Sequence, residues 1–130
     1  MTYPLSRLMS AATATYGGYA LYQPRHLGRA LTSNPVEQPG FDTLALTYGV
    51  RDLTVSSLGM FGSESTVRAA MTIRIVLDLA DGLVLSAKSG DDDTRAKVLG
   101  ITFGWAALNA LALAVDKRRA KKRRSLTVVV

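Results

Sequence analysis

The longest uncharged stretch of the chain runs from Val98 to Val115. Its 18 residues are about the number that an α-helix needs to cross the hydrocarbon of a bilayer, at about 1.5 Å per residue. The pattern therefore predicts a membrane-spanning helix. Within it, Gly100 and Gly104 form a GxxxG pattern, which allows another helix to approach closely.

Three earlier segments are also mainly apolar or rich in small residues. They are the uncharged segment 8–23, the segment 43–63 with one Arg and one Asp, and the segment 69–87 with three charges. Proline, glycine and acidic residues between these segments indicate loops at 24–40 and 86–94. The shortest connection, at 62–65, predicts that the second and third helices are antiparallel neighbours. We therefore predict an all-α fold, an integral-membrane bundle of four helices.

Seven of the 16 basic residues lie between Lys117 and Arg124, directly after the fourth predicted helix. Basic residues beside membrane helices stay preferentially on the cytoplasmic side, and an even number of crossings returns the chain to the side where it began. We expect a multi-pass membrane protein with both termini cytoplasmic, a four-helix domain at 1–116 and a basic tail at 117–130 that rests on membrane lipids. The alternative, that the first segment is a signal peptide, has little support because no clear cleavage site follows it.

Composition narrows the class of protein further. Hydrophobic residues make up 48% of the chain and charged residues 20%, which is too apolar for a disordered protein, and there is no cysteine for disulfides or thiolate metal sites. The net charge is +6, but the nine basic and ten acidic residues outside the basic tail give the rest of the chain −1. This distribution excludes a basic nucleic-acid-binding surface, and we expect no nucleic acid partner.

Ionisable residues occur in the second predicted helix, where side chains should contact lipid. Tyr48 lies three residues before Arg51 and four before Asp52, so the three side chains project from adjoining parts of one face.

The third predicted helix carries a second charged stripe. Arg74, Asp78 and Asp81 have the spacing i, i+4, i+7, which places them on one side of the helix. Five unpaired charges at the centres of membrane helices would cost about 12–17 kcal/mol in total, at about 2.5–3.5 kcal/mol each. We therefore expect the two stripes to face each other in the bundle interior, near mid-membrane depth.

The other two helices can contribute polar or aromatic groups to the same interior. The fourth helix has Thr102, Trp105 and Asn109 at i, i+3, i+7, and the first has Tyr16 and Tyr19 at i, i+3. We expect these residues to line a substrate-binding cavity.

The charges have two interpretations. Arg51 with Asp78, and Arg74 with Asp52 or Asp81, can form structural ion pairs that fix helix register. Two arginines and three aspartates leave one carboxyl in excess, however, and a surplus acid in a low-dielectric pocket is expected to keep its proton. An ionised carboxylate near a protonated one is the combination that general acid–base catalysis uses.

Other chemistries are less favoured by the sequence. The arginines compensate the aspartate charge that would attract a metal ion, so we expect neither a metal nor a cofactor. The one histidine, His26, lies in the loop segment and is expected to be solvated. Serine nucleophile catalysis is not expected, because the chain has no Gly-x-Ser-x-Gly motif and no second histidine.

The sequence Gly49-Val50-Arg51-Asp52 follows a short first helix and a proline-containing loop, and precedes a helix with spaced Arg and Asp residues. This order resembles the small four-helix membrane proteins of the DUF4267-like type, a domain of unknown function, over nearly the whole chain before the tail. Some small membrane proteins of similar appearance in fungal polyketide pathways are regarded as epoxide hydrolases. The Asp/Arg/Asp set is also similar in kind to that of the soluble limonene-epoxide hydrolases, whose fold is different. The resemblance implies epoxide hydrolysis as a candidate activity.

Together these features predict a membrane enzyme that opens the epoxide of a small lipophilic substrate with water. Asp78 is expected to be ionised and to take a proton from water, while Asp52 or Asp81 donates one to the epoxide oxygen. Arg51 and Arg74 would hold and orient the ionised form.

Three further side chains are expected to bind the reactants. Tyr48 and Asn109 would position water or substrate, and Trp105 would pack against the apolar part of the substrate.

The main alternative is a noncatalytic membrane subunit or scaffold that packs against partners or forms a homo-oligomer. The GxxxG pattern and the small residues of the first helix suit close helix association. Ion conduction along the charges is less favoured because the two arginines would repel cations. An empty cavity lined by the charges would favour the enzyme, and a filled interior would favour the subunit.

Overall fold

The computed structural model describes residues 2–129, with side chains through residue 126. These residues form five helices, which confirms the predicted all-α class: α1 Pro4–Tyr22, α2 Arg25–Leu31, α3 Gln38–Phe61, α4 Glu64–Ala87 and α5 Asp92–Val129. Four of them, α1, α3, α4 and α5, correspond to the four predicted helices. The short α2 lies within the predicted loop and follows Pro24, whose restricted φ suits the start of a helix.

The four long helices alternate in direction and pack mainly as two pairs, α1 with α3 and α4 with α5. The two-residue turn at Gly62 and Ser63 joins α3 to α4, which also contact each other, as the short connection predicted. Ser63 caps α4, because its Oγ accepts the Thr66 N–H at 3.4 Å. The alternation places the first residues of α1 and the carboxyl-terminal half of α5 at the same end of the bundle, here called the terminal end. The opposite end, which contains α2, is called the loop end.

Two glycines allow α1 and α3 to cross with their backbones almost in contact. A Cβ atom at Gly49 would lie 3.0 Å from the Gly17 carbonyl oxygen, and a Cβ at Gly17 would lie 3.1 Å from the Gly49 carbonyl oxygen. Gly100 and Gly104 differ, since a Cβ at either position would meet no atom within 4 Å. The GxxxG pattern therefore faces away from the other described helices of this chain.

Helix α5 continues without a break from the uncharged segment into the basic segment. At this boundary Asp116, which is 1% exposed, accepts the backbone N–H of Ser6 at 2.6 Å and that of Leu5 at 3.4 Å. The first N–H groups of a helix lack partners and lie at the positive end of its dipole, so the carboxylate satisfies and stabilises the start of α1. The division into a domain at 1–116 and a tail at 117–130 stays a prediction, but the helix is continuous across it.

The connection between α4 and α5 is held by polar groups at the loop end. Asp91 accepts the Thr94 N–H at 2.7 Å, and this bond lowers the pKa of the Asp91 carboxyl because it stabilises the ionised form. Arg95 donates from Nε to the Ser86 carbonyl at 3.0 Å, which satisfies an acceptor in the last turn of α4.

The bundle interior holds two clusters of buried apolar residues and also many polar side chains, while large apolar side chains lie on its exterior. The buried polar side chains are Ser6, Ser10, Thr13, Asp52, Ser56, Arg74, Asp78, Ser86, Ser89, Asn109 and Asp116. The most exposed large apolar side chains of α3, α4 and α5 include Val50, Phe61, Val76, Leu83, Ile101 and Leu111, each more than half exposed. The buried charges and the exposed apolar side chains both depart from the amphipathic pattern by which a helical bundle folds in water.

One described helix, over Asp92–Leu126, is long and apolar enough to cross a membrane by length and composition. The other described helices do not reach this length and mean hydropathy. Mean hydropathy averages over all faces of a helix. Four membrane crossings therefore remain a prediction.

Candidate functional site

Five charged side chains from α3 and α4 meet inside the bundle, near the middle of both helices, and form what we call the charged cluster: Arg51, Asp52, Arg74, Asp78 and Asp81. The expectation that the two charged stripes face each other is confirmed. Asp52, Arg74 and Asp78 are buried, and the Asp81 side chain is 14% exposed.

Arg51 links Asp52 on its own helix to Asp81 on α4. It donates from two nitrogens to the two carboxylate oxygens of Asp81, at 2.8 and 2.6 Å, which is the bidentate geometry of a strong ion pair. It also donates from Nε and Nη2 to Asp52 Oδ1 at 3.1 and 2.9 Å. The guanidinium lies over the Tyr48 ring, with its central carbon 4.3 Å from the ring centre, and the two make a cation–π contact.

Arg74 is the buried centre of the cluster. Its Nη1 donates to Asp52 Oδ1 and its Nη2 lies 2.9 Å from Asp78 Oδ1, while Asp81 is more distant at 3.8 Å. Among the described residues, Arg51 makes no ion pair with Asp78, so the predicted pairing of these two is wrong, whereas that of Arg74 with Asp52 is confirmed. Asp52 therefore bridges the two arginines.

A chain of neutral groups extends from Asp78 to α1. Asn109 donates from Nδ2 to Asp78 Oδ2 at 3.2 Å and to the Trp105 carbonyl at 3.0 Å. The Trp105 indole N–H donates to Thr13 Oγ1 at 3.1 Å. Since a backbone carbonyl only accepts, these contacts also fix the orientation of the Asn109 amide. Asp78 thus receives one charged donor and one neutral donor.

The charged cluster lies against a partly open cavity of about 430 Å³ that residues from all five helices line. Asp52, Arg74, Asp78 and Asp81 line it, and apolar side chains form most of the remaining wall. The size and the combination of apolar walls with a few converging polar groups are typical of small-molecule sites. The interior beside the charges is therefore not filled by side chains.

The other predicted site residues divide into three groups. Tyr16, Tyr48, Thr102 and Trp105 line the cavity. Arg51 and Asn109 do not line it, but both bond residues that do. Tyr19 is half exposed and contacts the ring of His26 rather than the cavity.

The sequence did not predict that His26 lines the cavity. It lies in the first turn of α2 rather than in a loop, and it lines the cavity and faces the Tyr16 hydroxyl across 3.1 Å while remaining partly exposed. The cause is α2, which folds the loop back along α1. The one available signal was the close sequence spacing of His26 to the end of the first helix.

Within the described residues, no group of three or more His, Cys, Asp or Glu side chains is arranged to hold a metal ion. In the charged cluster, two guanidiniums already occupy the carboxylates that a cation would need. The absence of a cofactor stays a prediction.

Comparison with known proteins gave no family assignment. No protein-family model, no curated protein and no solved structure matches this chain. The resemblance to DUF4267-like membrane proteins stays an expectation, and the site is interpreted from its own geometry.

Proposed function

We propose that this protein is a multi-pass membrane enzyme that opens the epoxide of a small lipophilic substrate with water. The observation that carries the proposal is an apolar-walled cavity whose polar end is the charged cluster. An apolar substrate can fill such a cavity, and three carboxyl groups beside it can exchange protons with the reacting atoms.

Insertion in a membrane is supported by buried charges on helices that expose apolar side chains. A soluble bundle would place the charged stripes of α3 and α4 outside, whereas Arg74 and Asp78 are buried and Val76 and Leu79 are exposed. Such helices have modest average hydropathy because their polar face lies inside the bundle. Lipid contact satisfies the apolar exterior without exposing the charges.

The hydrogen-bond donors around each carboxyl group suggest which aspartate is the acid and which is the base. Three aspartates and two arginines leave one negative charge uncompensated, and Asp78 receives the fewest charged donors, so we assign the extra proton to Asp78. The arginine nitrogens that donate to Asp52 all bond Oδ1, so Oδ2 can take a proton from water. This assignment reverses the roles expected from the sequence. Asp81 holds Arg51 in position.

The reaction then balances without a covalent intermediate. The oxygen of water attacks one epoxide carbon while Asp52 takes a proton from that water. The bond between the carbon and the epoxide oxygen breaks, and Asp78 gives its proton to the oxygen. The product is a vicinal diol, and a proton passing from Asp52 to Asp78 restores the starting state.

The test of activity measures diol formation from a panel of small apolar epoxides by the protein in nanodiscs. Asp52→Asn and Asp78→Asn are expected to reduce turnover by about 10²–10⁴-fold, the usual contribution of one acid or base. Asp93→Asn is the matched control, because Asp93 is exposed in the first turn of α5. If the wild type forms no diol from any epoxide in the panel, the enzyme proposal fails.

Membrane topology is tested independently by labelling single cysteines, which the natural chain lacks. Ser125 at the terminal end and Ser33 at the loop end are both exposed and differ only in which end of the bundle they occupy. In sealed cells an impermeant maleimide is expected to label Ser33→Cys from outside and Ser125→Cys only after permeabilisation. Equal labelling of both from outside would refute four crossings.

The noncatalytic subunit is the second candidate, and one observation favours it. Gly100 and Gly104 face outward with open space around them, which leaves a groove on α5 for another helix. Under this alternative the aspartate variants lower stability and the wild type has no turnover to lose.

A further inference from the structure

A second polar group lies in the cavity apart from the charged cluster. It consists of Tyr16 on α1 and His26 on α2, both of which line the cavity. The two rings are in edge contact, with their centres 5.6 Å apart. The proposed epoxide chemistry makes no use of either side chain.

The hydrogen bonds of His26 fix its tautomer. Its Nδ1 lies 2.6 Å from the Gln23 carbonyl oxygen, and because a carbonyl only accepts, Nδ1 carries the proton. In the neutral ring Nε2 is then an acceptor, and Tyr16 must donate its hydroxyl proton across the 3.1 Å between Tyr16 Oη and Nε2. The Tyr16 oxygen keeps its lone pairs and can only accept from a third group.

We propose that Tyr16 and His26 form a second subsite that binds a hydrogen-bond donor, such as a hydroxyl group, on a neutral lipophilic substrate. The inference rests on the proposed function, which identifies the epoxide as the reacting group. It adds the class of substrate that carries the epoxide. With the extra proton on Asp78, the cluster has two guanidiniums and two carboxylates and so no net charge that would attract a charged ligand. The substrate is therefore a neutral, mainly apolar epoxide that also carries a hydroxyl group.

Apolar side chains line the same cavity as the Tyr16–His26 pair. Leu27, Ala30 and Leu31 of α2 line the cavity beside His26, and Val98 and Ile101 of α5 line it as well. These side chains offer no hydrogen bonds to a ligand. The expected ligand therefore has a mainly apolar body.

Binding is measured by the fluorescence of Trp105, the one tryptophan of the chain and a residue of the cavity wall. The probes are a medium-chain alcohol and its methyl ether, since the ether can accept a hydrogen bond but cannot donate one. The wild type in nanodiscs is expected to bind the alcohol about three- to tenfold more tightly than the ether, as one hydrogen bond of about 0.5–1.5 kcal/mol provides. Equal affinities, or tighter binding of the ether, would overturn the inference.

Two variants locate the preference at this subsite. Tyr16→Phe removes the accepting oxygen, and His26→Phe frees the Tyr16 proton to point at the ligand, so each is expected to bring the affinity ratio close to one. The matched control is Tyr22→Phe, because Tyr22 is 80% exposed at the end of α1. A ratio that persists in both cavity variants would refute the subsite.

The outcomes separate this inference from the proposed function. Diol formation from plain epoxides without any preference for the alcohol would leave the enzyme in place and remove the subsite. A preference for the alcohol that Tyr16→Phe abolishes, without turnover of any epoxide, would retain the subsite and remove the enzyme.

Discussion

Replacing Asp52 or Asp78 by asparagine makes the same chemical change at two buried positions of one cluster. Both variants leave two carboxyl groups beside two guanidiniums, but under the proposed assignment Asp52→Asn removes an ionised group and Asp78→Asn a protonated one. They differ in geometry, because Asp52 bridges Arg51 and Arg74 through three hydrogen bonds to one oxygen. Asp78 receives one guanidinium nitrogen at 2.9 Å and one neutral amide at 3.2 Å. A difference in stability therefore reports both the bonding pattern and which of the two carboxyl groups carries the charge.

The expected magnitudes follow from these contacts. Asp52→Asn weakens the bridge between two arginines, one of them with a side chain only 4% exposed, and should lower the free energy of unfolding by about 3–5 kcal/mol. In Asp78→Asn the new amide oxygen can still accept from Arg74, so the variant loses mainly the neutral contact with the Asn109 amide. The loss there should be about 1 kcal/mol.

Thermal unfolding in detergent, followed by helical circular dichroism and by Trp105 fluorescence, measures the contrast. A difference of 2–4 kcal/mol corresponds to melting temperatures about 10 °C apart for a chain of this size. Asp93→Asn, an exposed change of the same type, should stay within about 0.5 kcal/mol of the wild type. Equal losses for the two buried variants, or a larger loss for Asp78→Asn, would refute the assignment of Asp52 as the bridging carboxylate and of Asp78 as the protonated one.

Two further changes test the packing of α1 by the same melting assay. Asp116→Ala removes the acceptor of two backbone N–H groups at the start of α1 and should cost about 1–2 kcal/mol, and an unchanged melting temperature would show that the cap is not needed. Gly49→Ala would place a Cβ 2.8 Å from the Leu21 side chain and 3.0 Å from the Gly17 carbonyl, so it should cost about 1–3 kcal/mol. Its control, Gly18→Ala, meets no atom within 4 Å and should gain up to about 1 kcal/mol from helix propensity, so equal effects would contradict the close crossing.

The sequence by itself determined the four long helices and the faces that their charges occupy. Uncharged stretches, loop residues and the basic segment predict the helices because these are properties of contiguous residues. The inward direction of the charged stripes also follows, since Arg74, Asp78 and Asp81 repeat with the helical period beside apolar residues. Burial of charges without partners is too costly, so two such stripes must meet.

Only the tertiary structure decided which charges pair and what else reaches the cavity. Helical periodicity fixes the angle of a side chain about its own axis, but the offset between neighbouring helices depends on packing, here on the contact of Gly17 with Gly49. The offset between α3 and α4, which packing also sets, pairs Arg51 with Asp81 rather than with Asp78. In the same way, residues far apart in the chain become partners only when helices dock. Asp116 caps the start of α1 and His26 faces Tyr16, because the free energy of these contacts depends on distances that no local pattern encodes.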